Sequence, residues 1–263
     1  MKKLLTIAGS DCSGGAGIQA ELNTFAANGC YGMSVITALT AQNTTGVSGI
    51  MEVTPEFAGM QLDAVFTDIF PDAVKIGMVS DPALVDVIAE KLTQYQAKNI
   101  VLDPVMVATS GSALSKDSAI YASQQKLFPI AAVITPNIPE TMQLTGMSAI
   151  DSKEKMLQAA KILQNQTSGG ILIKGGHLAG DADDLLYWNG KAYWMTGKKI
   201  DNPNTHGTGC TLSSAIACFL AKGEELPDAV RHAKDYLTGA IADQLDLGKG
   251  RGPLNHLYRL KSE

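Results

Sequence analysis

The run Asn204-Thr205-His206-Gly207-Thr208-Gly209-Cys210 leads directly into a helix-compatible apolar stretch. The first turn of a helix leaves backbone N–H groups unpaired, and the helix dipole favours negative charge there. Glycines at such a turn let a ligand oxyanion approach the backbone closely. A thiol at that terminus is expected to lose its proton more easily than a free cysteine. One short segment therefore offers an anion hole in Gly207, Thr208 and Gly209, and a candidate base in Cys210. The plainer reading is a glycine-rich turn that caps a core helix, with Cys210 packed as a small hydrophobe. The segment alone does not choose between them.

Other residues extend the first reading. Short apolar runs end in Asp103-Pro104, in Thr135-Pro136-Asn137-Ile138-Pro139-Glu140 and in Lys174-Gly175-Gly176-His177. Lys174 brings a compact positive charge suited to phosphate. Asp103 and Glu140 are carboxylates able to hold Mg²⁺ directly or through water. A lysine, carboxylates with magnesium and an anion hole are the parts of a phosphoryl-transfer site. Each residue has an ordinary alternative: a solvated surface charge for Lys174 and Glu140, and an Asp-Pro turn for Asp103. Two further polar segments, Gly9–Gly17 and Thr40–Thr44, also follow apolar runs.

The elements needed to position these residues are visible in the pattern. Strands are expected at Leu4–Ala8, Met33–Leu39, Ala73–Gly77, Asn99–Leu102, Ala131–Thr135 and Gly170–Lys174. Several are continuously apolar, as parallel strands buried on both faces are. Helices are expected near Gly15–Ala27, Pro55–Phe66, Pro82–Tyr95, Ser118–Leu127, Ser152–Gln166, Gly209–Leu220 and Pro227–Leu245. Asp184–Trp188 and Lys191–Met195 flank Asn189-Gly190, a strong hairpin signal. This alternation implies an α/β fold: an open, mostly parallel sheet with helices on both faces, in one domain spanning 1–263. In such sheets ligands bind beyond the carboxyl ends of the strands, where the polar segments converge.

The chain has 263 residues, 45% of them hydrophobic, so a sizeable core is available. A net charge of −5 argues against nucleic acid as a main partner. No apolar run approaches the roughly 20 residues of a membrane span. Met1–Gly9 reads as a first strand rather than a signal peptide, since turn residues and Asp11 follow at once. The expected location is the cytoplasm. Cys12, Cys30, Cys210 and Cys218 form no C-x-x-C pair, and disulfides are not expected. There is no G-x-x-x-x-G-K-[ST] motif of a P-loop enzyme. Gly15-Ala16-Gly17-Ile18-Gln19-Ala20 matches G-x-G-x-x-A, but it starts too far after the first strand for a dinucleotide fold. An acidic residue is also missing where Gln42 and Asn43 stand.

Taken together, the segments are similar to a known family. Thr6–Asp11 with Ser13–Ala20, Thr37–Thr44, Lys75-Ile76-Gly77-Met78, Val101–Met106, Ile134–Asn137, Lys174–His177 and His206–Cys210 resemble the hydroxymethylpyrimidine/phosphomethylpyrimidine kinases of thiamine biosynthesis in order and spacing. The resemblance covers essentially the whole chain. It implies a ribokinase-like three-layer α/β/α fold, a homodimer, and ATP with Mg²⁺. The reaction it implies is phosphorylation of 4-amino-5-hydroxymethyl-2-methylpyrimidine and then of its monophosphate. By carry-over, Gly207, Thr208 and Gly209 form the anion hole and Cys210 is the base. Lys174, Asn137, Thr205 and His206 meet ATP, while Asp103 and Glu140 organise the metal. Gly9, Glu21, Gln42 and Met78 line the pyrimidine pocket, and Met106–Lys116 is a flap. Many members carry aspartate where Glu21 stands, and some that act on pyridoxal carry methionine in place of Gln42. The alternatives are a pyridoxal kinase of the same branch and a non-catalytic nucleotide or pyrimidine sensor.

Overall fold

The computed structural model describes residues 1–106, 116–176, 183–197 and 199–260. Residues 107–115, most of the expected flap, and His177 lie outside these.

The described elements run β1 (Lys3–Asp11), α1 (Gly17–Ala27), β2 (Tyr31–Asn43), β3 (Gly46–Glu52), α2 (Pro55–Asp68), β4 (Ala73–Ile76), α3 (Pro82–Gln94), β5 (Ile100–Leu102) and α4 (Asp117–Lys126). They continue with β6 (Val133–Ile134), α5 (Ile138–Thr145), α6 (Lys153–Leu163), β7 (Gly170–Ile173), β8 (Asp184–Trp188), β9 (Lys191–Met195), α7 (Thr208–Ala221) and α8 (Leu226–Ala242). One sheet is ordered β3-β2-β1-β4-β5-β6-β7-β8-β9. From β2 to β7 every neighbouring pair is parallel. The pairs β2–β3, β7–β8 and β8–β9 are antiparallel.

Two cores, one on each face, make this a three-layer α/β/α molecule. Leu5 and Ile7 of β1, with Ile100 and Leu102 of β5, pack with α2, α3, α4 and α6. Leu4 and Val101, one residue out of phase, pack with α7, α8 and Phe25 of α1. Side chains alternate across a strand, so continuous apolar runs are what burial on both faces demands. The hairpin falls where the sequence placed it: Asn189 (φ 50) and Gly190 (φ 73) both take the left-handed conformation of a type I′ turn.

Two elements were not expected. β3 is an edge strand, exposed over most of its length, and it lacks the apolar signal of a core strand. α5 occupies a segment read as a strand-end loop. Its N-terminus is a capping box, with the Asn137 side chain accepting from Glu140 N–H and Glu140 accepting from Asn137 N–H. Gly146, in the left-handed conformation, ends it.

Candidate active site

β1 pairs with β2 on one side and β4 on the other, so the chain reverses its direction of travel across the sheet at β1. The carboxyl ends of strands at such a point form a crevice. Here it is a cleft of about 720 Å³, and every residue singled out above lines it: Gly9, Glu21, Gln42, Met78, Asp103, Asn137, Glu140, Lys174, Thr205, His206, Gly207, Thr208, Gly209 and Cys210.

At one end, α7 begins on Gly207, whose φ of 82 belongs to glycine. A Cβ on Gly207 would lie 2.0 Å from the Gly15 carbonyl oxygen, so the loop after β1 presses directly on the helix start. No side chain caps α7, which leaves first-turn N–H groups available to a ligand. A Cβ on Gly209 would lie 3.2 Å from Asp103 Oδ2 and 3.4 Å from Lys174 Nζ. The bare glycine thus opens a gap between helix turn, lysine and carboxylate. Lys174 Nζ is 2.8 Å from Asp103 Oδ1, which also accepts from Thr135 Oγ1 at 2.8 Å.

The charges in this gap are mutually arranged. Burial opposes ionisation of Asp103, but Lys174 and Lys75 hold its carboxyl below the usual range. Burial likewise opposes the Lys174 ammonium, and Asp103 and Glu140 hold it charged. For Glu140 burial wins. Despite Lys174 its carboxyl is pushed up to about 7, helped by the Asp103 charge. Among the described residues no group of three His, Cys, Asp or Glu could hold a metal alone. Asp103 and Glu140 suit Mg²⁺ in its usual manner, which is one or two carboxylates completed by waters and substrate phosphates.

The Cys210 thiol departs from expectation. Burial pushes it up to about 12, and the Lys75 ammonium and the Gly17 N–H do not offset this. Glu21 and Asp103 add to the rise. The helix terminus is present, but desolvation and two nearby carboxylates outweigh it.

Glu21 lines the cleft from beneath. It is fully buried, and its carboxylate is bonded to Lys75 Nζ and Thr6 Oγ1. It forms the floor of the cleft rather than an open hydrogen-bonding edge. Lys75, quoted above only as part of a motif, is equally buried, and its ammonium is held charged by Glu21, Cys210 and Asp103 against its burial. The available signal was a lone lysine within the otherwise apolar Ala73–Ile76 strand.

His206, expected beside ATP, contacts Asp11 and Gln42. Its Nε2 is 2.8 Å from Asp11 Oδ2 and 3.3 Å from the Gln42 amide nitrogen. Asp11 also accepts from Ser13 N–H, Ser13 Oγ and Ala16 N–H. Gly9 and Met78 adjoin: a Cβ on Gly9 would lie 3.2 Å from the Met78 sulfur. Beyond Lys174 the cleft continues over Lys199 and Ile200 to Leu237 and Ile241 of α8. These two half-buried residues wall an apolar slot, and Leu237 also packs against the core beneath it.

A profile of the family described as phosphomethylpyrimidine kinase matches residues 11–255. The chain is 49% identical over 255 residues to a thiamine biosynthesis bifunctional protein of Geobacter sulfurreducens, covering 97% of this chain and 52% of that protein. It therefore spans about half the length of that relative. It is 48% identical over 258 residues to a hydroxymethylpyrimidine/phosphomethylpyrimidine kinase of Rhizobium meliloti, covering 97% of both chains. Among solved structures it is similar to a pyridoxal kinase of Bacillus subtilis in complex with ADP. That match has a TM-score of 0.89 and 36% identity, and covers 97% of each chain.

Proposed function

The chain belongs to the phosphomethylpyrimidine kinase family, and from that premise we propose that its single ribokinase-like domain phosphorylates 4-amino-5-hydroxymethyl-2-methylpyrimidine with ATP. It then phosphorylates the monophosphate to the diphosphate, as a step in thiamine biosynthesis. The observation that carries this reading is the gap at Gly209, bounded by Lys174, Asp103 and the α7 turn, in the same cleft as Gln42.

The residues act as follows. The apolar slot at Ile200, Leu237 and Ile241 takes the adenine ring, and Asn137, Thr205 and Lys174 the phosphates. The N–H groups of the α7 turn and the Lys174 ammonium receive charge that develops on the transferred phosphoryl oxygens. Asp103 and Glu140 would hold Mg²⁺, which would neutralise phosphate charge. Gln42, Gly9 and Met78 orient the pyrimidine so that its hydroxymethyl group faces Cys210. In the first step the alcohol proton goes to the Cys210 sulfur in its thiolate form. In the second the nucleophile is already an anionic phosphate oxygen, and no base is needed.

A pyridoxal kinase remains the competing reading, since the fold is shared with one. Gln42 favours the pyrimidine, because one amide answers the donor and acceptor on an aminopyrimidine edge. We place the protein in the cytoplasm, as a homodimer. No described helix is long and apolar enough to cross a membrane. Mass spectrometry of products after offering ATP, Mg²⁺ and either the pyrimidine alcohol or pyridoxal tests the assignment. Mono- and diphosphate of the pyrimidine are expected; phosphorylation of pyridoxal alone would overturn it. In the same assay Asp103→Asn is expected to raise the Mg²⁺ concentration needed for half-maximal rate by about tenfold or more.

A further inference from the structure

Around Gln42 the hydrogen-bond donors and acceptors can be counted. Asp11 Oδ2 lies 2.8 Å from His206 Nε2. Asp11 is held as an anion, burial being offset first by its hydrogen bond to His206. A carboxylate only accepts, so His206 Nε2 carries a hydrogen. The Gln42 amide approaches that same Nε2 at 3.3 Å, and its other end lies 3.2 Å from Thr40 Oγ1. The Thr40 hydroxyl has one hydrogen, which it donates to the Ser10 carbonyl at 2.9 Å.

If the amide nitrogen faces the histidine, two donors oppose each other. At the far end the amide oxygen then faces a hydroxyl whose hydrogen is already used. A half-turn of the amide removes both conflicts at once. Oε1 then accepts from His206 Nε2, shared with Asp11, and the amide NH₂ donates to Thr40 Oγ1. An amide's oxygen and nitrogen are told apart by such a network.

We propose that Asp11 and His206 are positioning residues that lock the Gln42 amide with its oxygen toward His206 and its nitrogen toward Thr40, and so fix the order of acceptor and donor presented to the ring. One lone pair of Oε1 and one N–H remain for the ligand. This deepens the reading of the protein as an aminopyrimidine kinase and rests on it. The ring must bring an amino donor to the His206 side and a bare ring nitrogen to the Thr40 side. It cannot turn over to comply, because its hydroxymethyl group must face the phosphoryl gap. The 4-oxo analogue, which carries a carbonyl and a protonated ring nitrogen in the same places, meets acceptor with acceptor and donor with donor.

The test compares binding of the 4-amino alcohol and its 4-oxo analogue by calorimetry, in wild type, His206→Leu and His206→Gln. Wild type is expected to favour the amino compound by at least about 100-fold, two hydrogen bonds being mismatched in the analogue. In His206→Leu the amide is free to turn, and the preference is expected to collapse to within about tenfold. His206→Gln keeps an N–H between Asp11 and Gln42 and is expected to restore it. Unchanged selectivity in His206→Leu overturns the lock. Should that variant fail to fold, long-range ¹H–¹⁵N correlation of histidine-labelled wild type decides: a hydrogen on Nε2 supports the proposal, and a hydrogen on Nδ1 alone overturns it. Selectivity lost in His206→Leu and regained in His206→Gln supports the lock even if no phosphorylated product forms, a result that would count against the proposed reaction alone.

Discussion

At Cys210 a helix terminus and a buried ammonium favour the thiolate, while desolvation and two carboxylates disfavour it, and the second set wins. With the thiol pushed up to about 12, its thiolate is a minor species at neutral pH, and each pH unit multiplies that species about tenfold. The alcohol step is therefore expected to accelerate about tenfold per unit between roughly pH 7 and 9. The monophosphate step, whose nucleophile is already anionic, is expected to lack this slope. Glu140, at about 7, affects both steps alike, so the difference between them isolates Cys210. Single-turnover rates for both substrates check this, with Cys210→Ala expected to remove the slope from the first step. A flat first-step profile in wild type would take the proton away from the thiolate. Glu140 carries its own prediction. Its folded pKa of about 7 lies above the ordinary carboxyl value of 4.5, so the folded protein binds the extra proton between these limits. The group's contribution to stability is therefore full below about pH 4.5 and is lost as pH rises through about 7. Glu140→Gln keeps an acceptor for Asn137 N–H and removes the titration. Melting curves from pH 5 to 8 are expected to show wild type losing stability relative to the variant as pH rises. A parallel pair of curves would contradict it.

The elements place these residues through contacts that tolerate little change. Gly207 carries a left-handed φ of 82, and a Cβ there would meet the Gly15 carbonyl at 2.0 Å. Gly207→Ala must therefore both strain its own backbone and push the loop after β1 off the start of α7. A loss of at least about 2 kcal/mol is expected, lowering the melting temperature by roughly 5 °C. ATP affinity is expected to fall with it. A calorimetric scan beside nucleotide titration checks both, and unchanged values would mean the loops yield freely. Much of this arrangement was legible in the sequence, for physical reasons. β1, β4, β5 and β7 announce themselves as apolar runs because both faces are buried, and Asn189-Gly190 because few dipeptides accept two positive φ values. What was not legible lacks a periodic signal. β3 buries too little to be apolar. α5 is only eight residues long, although its Asn137-x-x-Glu140 box and Gly146 were readable as a start and a stop. At the site, residue identity showed which side chains converge, but not the balance of charges around them. Nothing in the sequence pairs Glu21 with Lys75 until the fold buries them together, and the Cys210 thiol looks activated until its burial is known.

At the scale of the molecule, the sheet ends in β9 on one side and in β3 on the other. β8 and β9 fold back on β7 as a hairpin, and Trp194 packs on the core. At the opposite edge, among the described residues, β3 pairs only with β2, and natural edges of this kind are usually blunted by charge or covered. Here the surface is apolar instead. Leu39 of β2 and Met51 of β3 are register partners, and they are 44% and 69% exposed. Val35 of the same strand as Leu39 packs in the same core as Ala58 and Leu62 of α2, and a register shift separates it from Leu39. On α2, Phe57 and Met60 lie one turn apart and are likewise exposed. An apolar edge of this kind marks an interaction surface, and covering it with a second copy is the economical way to build the proposed homodimer. Because the interface would form at Leu39 and Met51, with Leu39 three residues from Gln42 on β2, assembly would also brace the Gln42 end of the cleft. Leu39→Lys with Met51→Lys places four like charges across a two-fold contact and is expected to yield a monomer by sedimentation velocity, with the far-UV spectrum unchanged. Pyrimidine KM is expected to rise severalfold while ATP KM holds, since the slot at Leu237 and Ile241 lies at the other end of the site. A double variant that sediments like wild type would place any dimer contact elsewhere.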